Sequence, residues 1–463
     1  MRVSAAILRL AVVVLLPNLC FSQNVSASGQ DEITRRIDEY LNRATDSGLF
    51  SGSVAVAKDG RILFSRGYGM ANLAYDAPNG PQTRFDIGSV SKTFTAASVL
   101  LLQESGKLRV DDPICKYVDA CPDSWRPITV RYLLTHTSGI LNYTELPDYF
   151  ENRSLESFML DAVKRIRAMP LQFSPGDRFA YSNTGYNLLH EIVQKASGQR
   201  CEDFLQSKIL NSLGMRNTGF LESSNIRHVI IKNLATGYTD GVGPLELAPW
   251  VHPNGGGRMY STAEDMCLWG QALLAGKLLS VQSLAESFTP GKGDYGYGWF
   301  IFKKGKHPFA THSGNIPGFG ATLVQYLDQK LTIFVASNLD TAPTNRIQED
   351  IAKIMFGESY DLPPTWRAVA VDTKVYDGYV GRYRKTDEPN FVITIKKENG
   401  QLWNRLGDDP GAAEMVLRPL SETRFFNKMF VLYEVTFVSG GQGRATKLLA
   451  DGPWGHGEFA RID

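Results

Sequence analysis

The chain has 463 residues, longer than one ordinary domain, so two are expected. Apolar residues make up 43% and charged residues 21%, a globular composition that excludes a disordered chain. With 49 basic against 48 acidic residues the net charge is +1, so no basic field exists to gather nucleic acid or an anionic membrane.

The first stretch reads as a secretory leader over residues 1–22, and so as an exported protein, periplasmic or secreted. Arg2 and Arg9 give a positive start, Leu10 to Leu16 form a short apolar core, and Cys20-Phe21-Ser22 precedes the expected cleavage before Gln23. The apolar run is too short to span a bilayer, and no other segment reads as a membrane span. Leu19 is bulkier than a lipoprotein cleavage site prefers, which argues against an anchor on Cys20. Four cysteines then remain. Cys115 and Cys121 lie close enough for a local disulfide, whereas Cys201 and Cys267 read equally well as inert buried thiols.

Glu32 to Asn42 carries Ile33, Ile37 and Leu41 at helical spacing. Ser53 to Ala57 and Arg61 to Phe64 flank Lys58-Asp59-Gly60, a hairpin signal. Next comes Phe85-Asp86-Ile87-Gly88-Ser89-Val90-Ser91-Lys92, followed by a run from Thr93 to Leu102 that is apolar on nearly every side. A helix apolar all round is a buried helix, so Ser89 is expected in the first turn of a central one. Ser89 and Lys92, three apart, then share a helix face with Cβ atoms roughly 5–6 Å apart. A serine hydroxyl is a poor nucleophile until a base takes its proton. A lysine serves as that base with a neutral amine, and burial beside the positive end of a helix disfavours the ammonium. The same helix end offers N–H groups to a developing oxyanion.

A mostly helical middle follows. It includes Leu133 to Gly139, a turn at Ser174-Pro175-Gly176-Asp177, Tyr181-Ser182-Asn183, and a helix over Tyr186 to Ala196. In an extended segment, residues two apart point the same way, so Tyr181 and Asn183 would enter one cleft. The phenol could move protons and the amide could hold substrate; alternatively Asn183 or Thr184 caps the following helix. From Tyr295 the pattern turns extended: Tyr297 to Phe302, Phe309 to His312, Ala321 to Tyr326 and Leu331 to Ser337 are strands, and Glu349 to Phe356 is a closing helix. Strands at both ends of this region imply that its termini pair in one antiparallel sheet. Thr311-His312-Ser313-Gly314-Asn315 ends the second of these strands, where an N–H of Asn315 could join that of Ser89 in an oxyanion hole. Taken alone, His312 also reads as a packed or capping histidine.

Pro363-Pro364 marks a linker. Eight short strand-like runs follow, at Tyr379–Tyr383, Phe391–Ile395, Leu402–Arg405, Met415–Leu417, Arg424–Asn427, Val431–Val438, Ala445–Leu449 and Glu458–Ile462. Their spacing reads as a small barrel or sandwich. No Cys-x-x-Cys or His-Glu-x-x-His spacing implies a metal, and no cofactor is expected. His190-Glu191 has Gln194 where a ligand histidine would be needed. No Gly-x-Ser-x-Gly elbow supports a Ser-His-Asp triad.

Ser89-x-x-Lys92, Tyr181-x-Asn183 and His312-Ser313-Gly314, in this order, resemble the class C β-lactamase and D-alanyl-D-alanine carboxypeptidase superfamily of serine hydrolases. Supporting stretches include Asp111-Asp112-Pro113, Leu213-Gly214-Met215 and Gly255-Gly256-Gly257 with Tyr260-Ser261-Thr262. The tail, with Tyr379 to Tyr383 and Phe459 to Ile462, resembles the lipocalin-like domain often appended to such enzymes. The resemblance implies an α+β fold, an antiparallel sheet flanked by helices, over residues 23–360, plus a C-terminal β-barrel over 373–463. It implies Ser89 as acylated nucleophile, Lys92 as general base, Tyr181 as proton shuttle, and Asn183, His312, Ser313, Gly314 and Asn315 as substrate-binding residues. His312 stands where class C β-lactamases usually carry the lysine of a Lys-Thr-Gly box, and resembles instead the peptidase and D-aminopeptidase branches. The expected activity is hydrolysis of amides or esters of small molecules or peptides. A β-lactamase, or a penicillin-binding sensor that does not turn over, is the alternative. The barrel could hold a ligand, plug the active-site mouth or pair subunits.

Overall fold

The computed structural model describes residues 27–221, 230–239, 245–249, 258–305, 307–366, 368–407, 414–428, 433–440, 443–452 and 455–463. The expected leader and the Gly255-Gly256-Gly257 run lie outside these residues.

Helix α1 (Ala27–Asp46) leads into strands β1 (Gly52–Lys58) and β2 (Arg61–Tyr68). Helices α2 (Lys92–Glu104), α3 (Asn183–Ser197) and α4 (Ala263–Leu274) belong to the middle. Then come β3 (Phe300–Lys304), β4 (His307–Ile316), β5 (Phe319–Tyr326), β6 (Leu331–Ser337) and helix α5 (Thr344–Phe356). The sheet runs β3-β4-β5-β6-β1-β2, antiparallel throughout. Its two chain ends meet where Gly52 faces Ser337 and Lys58 faces Leu331.

Strand alternation divides the core between the two faces of this sheet. Ala55, Ala57, Ala310, Ala321 and Ala336 face α2 and α4, and their small side chains let Phe94 and Trp269 approach. Val54, Val56, Val324, Ile333 and Val335 face the other way, onto Ile37 and Leu41 of α1 and Ile347 and Ile351 of α5. Both faces are covered, so β1 and β6 are buried along nearly their whole length.

The tail is a closed barrel of eight strands, β7 (Gly381–Lys385), β8 (Val392–Glu398), β9 (Gln401–Leu406), β10 (Glu414–Pro419), β11 (Arg424–Asn427), β12 (Tyr433–Ser439), β13 (Ala445–Gly452) and β14 (Gly455–Arg461). Closure comes from β7 pairing with β14. Aromatic side chains fill the inside: Tyr376 and Tyr379, from a 3₁₀ turn and its end just before the barrel, pack on Phe425, and Tyr379 stacks on Phe437 at 4.2 Å. Tyr379 therefore enters the barrel as a plug, whereas the sequence suggests a strand residue there.

A cavity of about 780 Å³ opens between α1, the start of α5, the linker and the β13–β14 hairpin, with Tyr40, Asn315, Arg346, Trp366, Asp451 and His456 on its walls. It lies on the α1/α5 face of the sheet, away from Ser89. Arg43 Nε donates to the Pro363 carbonyl at 2.6 Å, and Lys428 Nζ to that of Gly48 at 3.2 Å.

Cys115 and Cys121 are joined in a disulfide, while Cys201 and Cys267 are free and buried. No described helix is long and apolar enough to cross a membrane.

Candidate active site

The candidate nucleophile sits in a tightly tied turn. Phe85 and Asp86 pair with Ser261 and Tyr260. Asp86 is buried, accepts the Gly88 N–H at 2.9 Å through Oδ1 and pairs with Arg258 through Oδ2. Burial pushes its carboxyl pKa up, and the guanidinium and N–H pull the other way. Gly88 has φ +50°, which favours glycine, and Ser91 Oγ donates back to its carbonyl at 2.7 Å. Residues Gly88–Ser91 form a 3₁₀ turn that runs directly into α2. Ser89 is therefore in a tighter preceding turn rather than in the first α-helical turn that its sequence suggests.

Behind it, α2 is buried over most of its length and stacks Phe94 on Trp269 at 4.2 Å. Lys92, 7% exposed, donates from Nζ to Ser89 Oγ at 3.0 Å and to Asn183 Oδ1 at 2.8 Å. Its Nζ also lies 5.1 Å from the centre of the Tyr181 ring and 5.5 Å from that of Tyr186.

Tyr181 and Asn183 reach this amine from the entrance of α3. Ser182 is the cap of that helix, accepting the Gly185 N–H at 3.3 Å, so the capping role falls on neither Asn183 nor Thr184. His136, at φ +53°, holds the segment by two bonds: its carbonyl accepts from Ala180 N–H at 2.9 Å and its Nδ1 from Ser182 N–H at 3.1 Å. The Tyr181 ring lies on the His136 ring, centroids 4.3 Å apart. Burial, with Lys92 and His312 adding to it, depresses the His136 pKa well below the usual range.

The third wall is β4. An added Cβ on Gly314 would stand 2.1 Å from the Ile87 carbonyl oxygen and 2.8 Å from the Ser89 nitrogen. Only glycine lets the strand press against the Ser89 turn. Strand β3 pairs with β4 as far as Thr311, so among the described residues no strand covers that edge of His312–Ile316. Such an edge can pair an extended ligand through backbone hydrogen bonds.

His312 is 2% exposed. Its Nδ1 donates to its neighbour's carbonyl, Ser313 O, at 2.8 Å, which makes Nε2 the acceptor of the Tyr295 hydroxyl at 3.0 Å. Burial and the nearby Lys92 push its pKa down to about 3. The ring is therefore neutral at pH 7, set in a cluster with Tyr295, His136, Tyr181 and Phe300.

The β-lactamase family profile matches residues 33–354. The chain belongs to the β-lactamase family. Penicillin-binding protein 4* of Bacillus subtilis is 31% identical over 84% of this chain and 90% of its own length. The octameric penicillin-binding protein homologue from Pyrococcus abyssi shares the fold at TM-score 0.64 and 22% identity, over 92% of this chain and 99% of that one. A D-stereospecific amidohydrolase from a Streptomyces species superposes at TM-score 0.58 and 26% identity, over 70% and 99%.

In this β-lactamase-family chain, Ser89, Lys92, Tyr181 and Asn183 converge around one amine. Gly314 adjoins Ser89. Ser313 and Asn315 turn their side chains to the far face of the sheet: Ser313 Oγ donates to Asn345 Oδ1 at 2.7 Å, and Asn315 Oδ1 lies over Gly320. These two can meet a ligand at the Ser89 side only through their backbone. Sequence reading assigned no role to Asp86, His136, Asn142, Tyr186 or Tyr295. His136 stands inside the Leu133–Gly139 stretch and Asp86 inside the Phe85–Lys92 stretch; the contacts of Asn142 with Asn183, Tyr186 with Leu134 and Tyr295 with His312 join residues far apart in the chain.

Proposed function

We propose that this protein is an exported serine hydrolase that cleaves amide or ester bonds through an acyl-enzyme on Ser89. Its parts would be a leader at residues 1–22, a hydrolase domain over 23–360 and a lipocalin-like barrel over 373–463. The observation that carries the reading is the buried Lys92 amine, 3.0 Å from Ser89 Oγ and tethered to Asn183. Lys92 Nζ takes the hydroxyl proton as Oγ attacks the carbonyl carbon. The N–H groups of Ser89 and Asn315 receive the oxyanion. Tyr181 passes the proton to the leaving group, and later takes one from the deacylating water.

His312 bears on substrate class. A neutral, buried imidazole offers no charge to a substrate carboxylate. This favours amides, esters and peptides, those of D-amino acids included, over β-lactams; the similar Streptomyces protein is a D-stereospecific amidohydrolase. The name of the Bacillus relative keeps a second reading in view, a β-lactamase or a penicillin-binding sensor that does not turn over. Values of kcat/KM on D-Ala-p-nitroanilide, p-nitrophenyl butyrate and nitrocefin separate these. The proposal expects turnover of the first two above the third, and none with Ser89→Ala. Full hydrolysis by Ser89→Ala would end it, and a stable penicillin adduct with no turnover of any substrate would favour the sensor. The octameric state of the Pyrococcus homologue supports a homo-oligomer, and pairing through the barrel is part of the same proposal. A monomer by light scattering at working concentration would remove that part.

A further inference from the structure

The amide of Asn183 could face Lys92 with either its oxygen or its nitrogen, and the two are nearly indistinguishable by shape. Hydrogen-bond logic decides between them. Asn142, 8% exposed, follows the Leu133–Gly139 stretch in a loop stitched to the start of α3. Thr184 Oγ1 donates to the Leu141 carbonyl at 2.7 Å and accepts from Tyr143 N–H at 3.0 Å. Between these two clamps the Asn142 side chain meets two backbone N–H groups, Asn183 N at 3.1 Å and Thr144 N at 3.5 Å. Backbone N–H groups only donate, so the atom facing them must be Asn142 Oδ1. The same oxygen lies 3.3 Å from the Asn183 side chain. An acceptor there demands a donor, which fixes Nδ2 of Asn183 toward Asn142 and Oδ1 toward Lys92 at 2.8 Å.

We propose that Asn142 is a positioning residue for acylation, which sets the Asn183 amide so that its oxygen, not its nitrogen, receives the Lys92 amine. The inference rests on the roles proposed for Ser89 and Lys92. A reversed amide would aim one donor at another. Lys92 would then lose the contact that holds it beside Ser89. The fixed orientation also leaves the second Nδ2 hydrogen of Asn183 for an acceptor on the substrate.

The test uses the full-length chain and the rate at which a fluorophosphonate modifies Ser89, followed by intact mass. Asn142→Ala is expected to slow modification roughly 10- to 100-fold, the span set by leaving a donor without its partner. Asn142→Asp keeps an acceptor oxygen at the same place and is expected to restore most of the rate, which a loss of loop packing would not do. In an Asn183→Ala background, the further change Asn142→Ala is expected to cost little, because its effect passes through Asn183. A folded Asn142→Ala protein that reacts at the wild-type rate overturns the inference, as does an additive penalty in the double variant. If Asn142→Ala fails to fold, Asn142→Asp decides: a rate as low as that of Asn183→Ala overturns it. Failure of the wild-type protein to react at all would sink the reading of Ser89 itself, a separate result.

Discussion

Two buried histidines should make this enzyme sensitive to mild acid. His312 titrates near 6.5 in the unfolded chain and at about 3 in the folded protein, because burial, with Lys92 nearby, disfavours the charged imidazole. Its folded pKa is depressed, so the stability tied to its neutral form is fully present above pH 6.5. That stability is lost as pH falls toward 3, where the unfolded state binds a proton that the folded state refuses. At pH 5 the gap is 1.5 pH units, worth about 2 kcal/mol from His312 alone. His136, buried in the same cluster and also depressed, adds in the same direction. Urea denaturation of wild type and His312→Gln between pH 8 and pH 4.5 reads the effect. Glutamine can still accept the Tyr295 hydroxyl and cannot take up a proton, so the variant's stability should fall by about 2 kcal/mol less over the step to pH 5. Parallel curves for the two proteins would refute the burial argument and reopen His312 as a charged, ligand-facing group.

Other outcomes follow from particular contacts. Gly314→Ala puts a methyl 2.1 Å from the Ile87 carbonyl oxygen; it should cost about 1–3 kcal/mol of stability and slow modification of Ser89 further than a remote substitution of equal ΔΔG. Asp86→Ala removes a buried carboxylate from the Arg258 guanidinium and from the Gly88 N–H, so we expect a loss of about 3–5 kcal/mol in chemical denaturation. Replacing Cys115 and Cys121 by serine opens a short loop and should lower stability by about 2 kcal/mol, read the same way, with activity retained at 25 °C.

The sequence made the frame legible wherever pattern and period agreed. Leu331 to Ser337 is a strand at the expected limits, and the meeting of β1 with β6 follows from strand-like runs at both ends of a helical middle. Eight short runs became eight barrel strands because alternation is read locally. Errors cluster where tertiary contacts override local pattern. Tyr297 to Trp299 carries β-forming residues, yet Gly298, at φ +81°, turns the backbone against Lys92 and Thr93, and β3 begins only at Phe300. The four converging side chains could be named from motifs alone. Their geometry could not, since Asn142 and His136 act on them across gaps in the chain that no spacing rule covers, and Asp86, only two residues from the Gly88 it holds, is itself paired with the distant Arg258. His312 shows the limit most clearly. A motif places it beside substrate, but no motif shows that its ring is buried and bonded to the Tyr295 hydroxyl.

The most direct test compares fluorophosphonate modification of Ser89 in wild type and Lys92→Ala. The account predicts a single adduct mapped to Ser89 in wild type, and a rate lowered about 100-fold or more in a Lys92→Ala protein that unfolds at the same urea concentration. Equal rates in the two proteins, or an adduct on any residue other than Ser89, would contradict it.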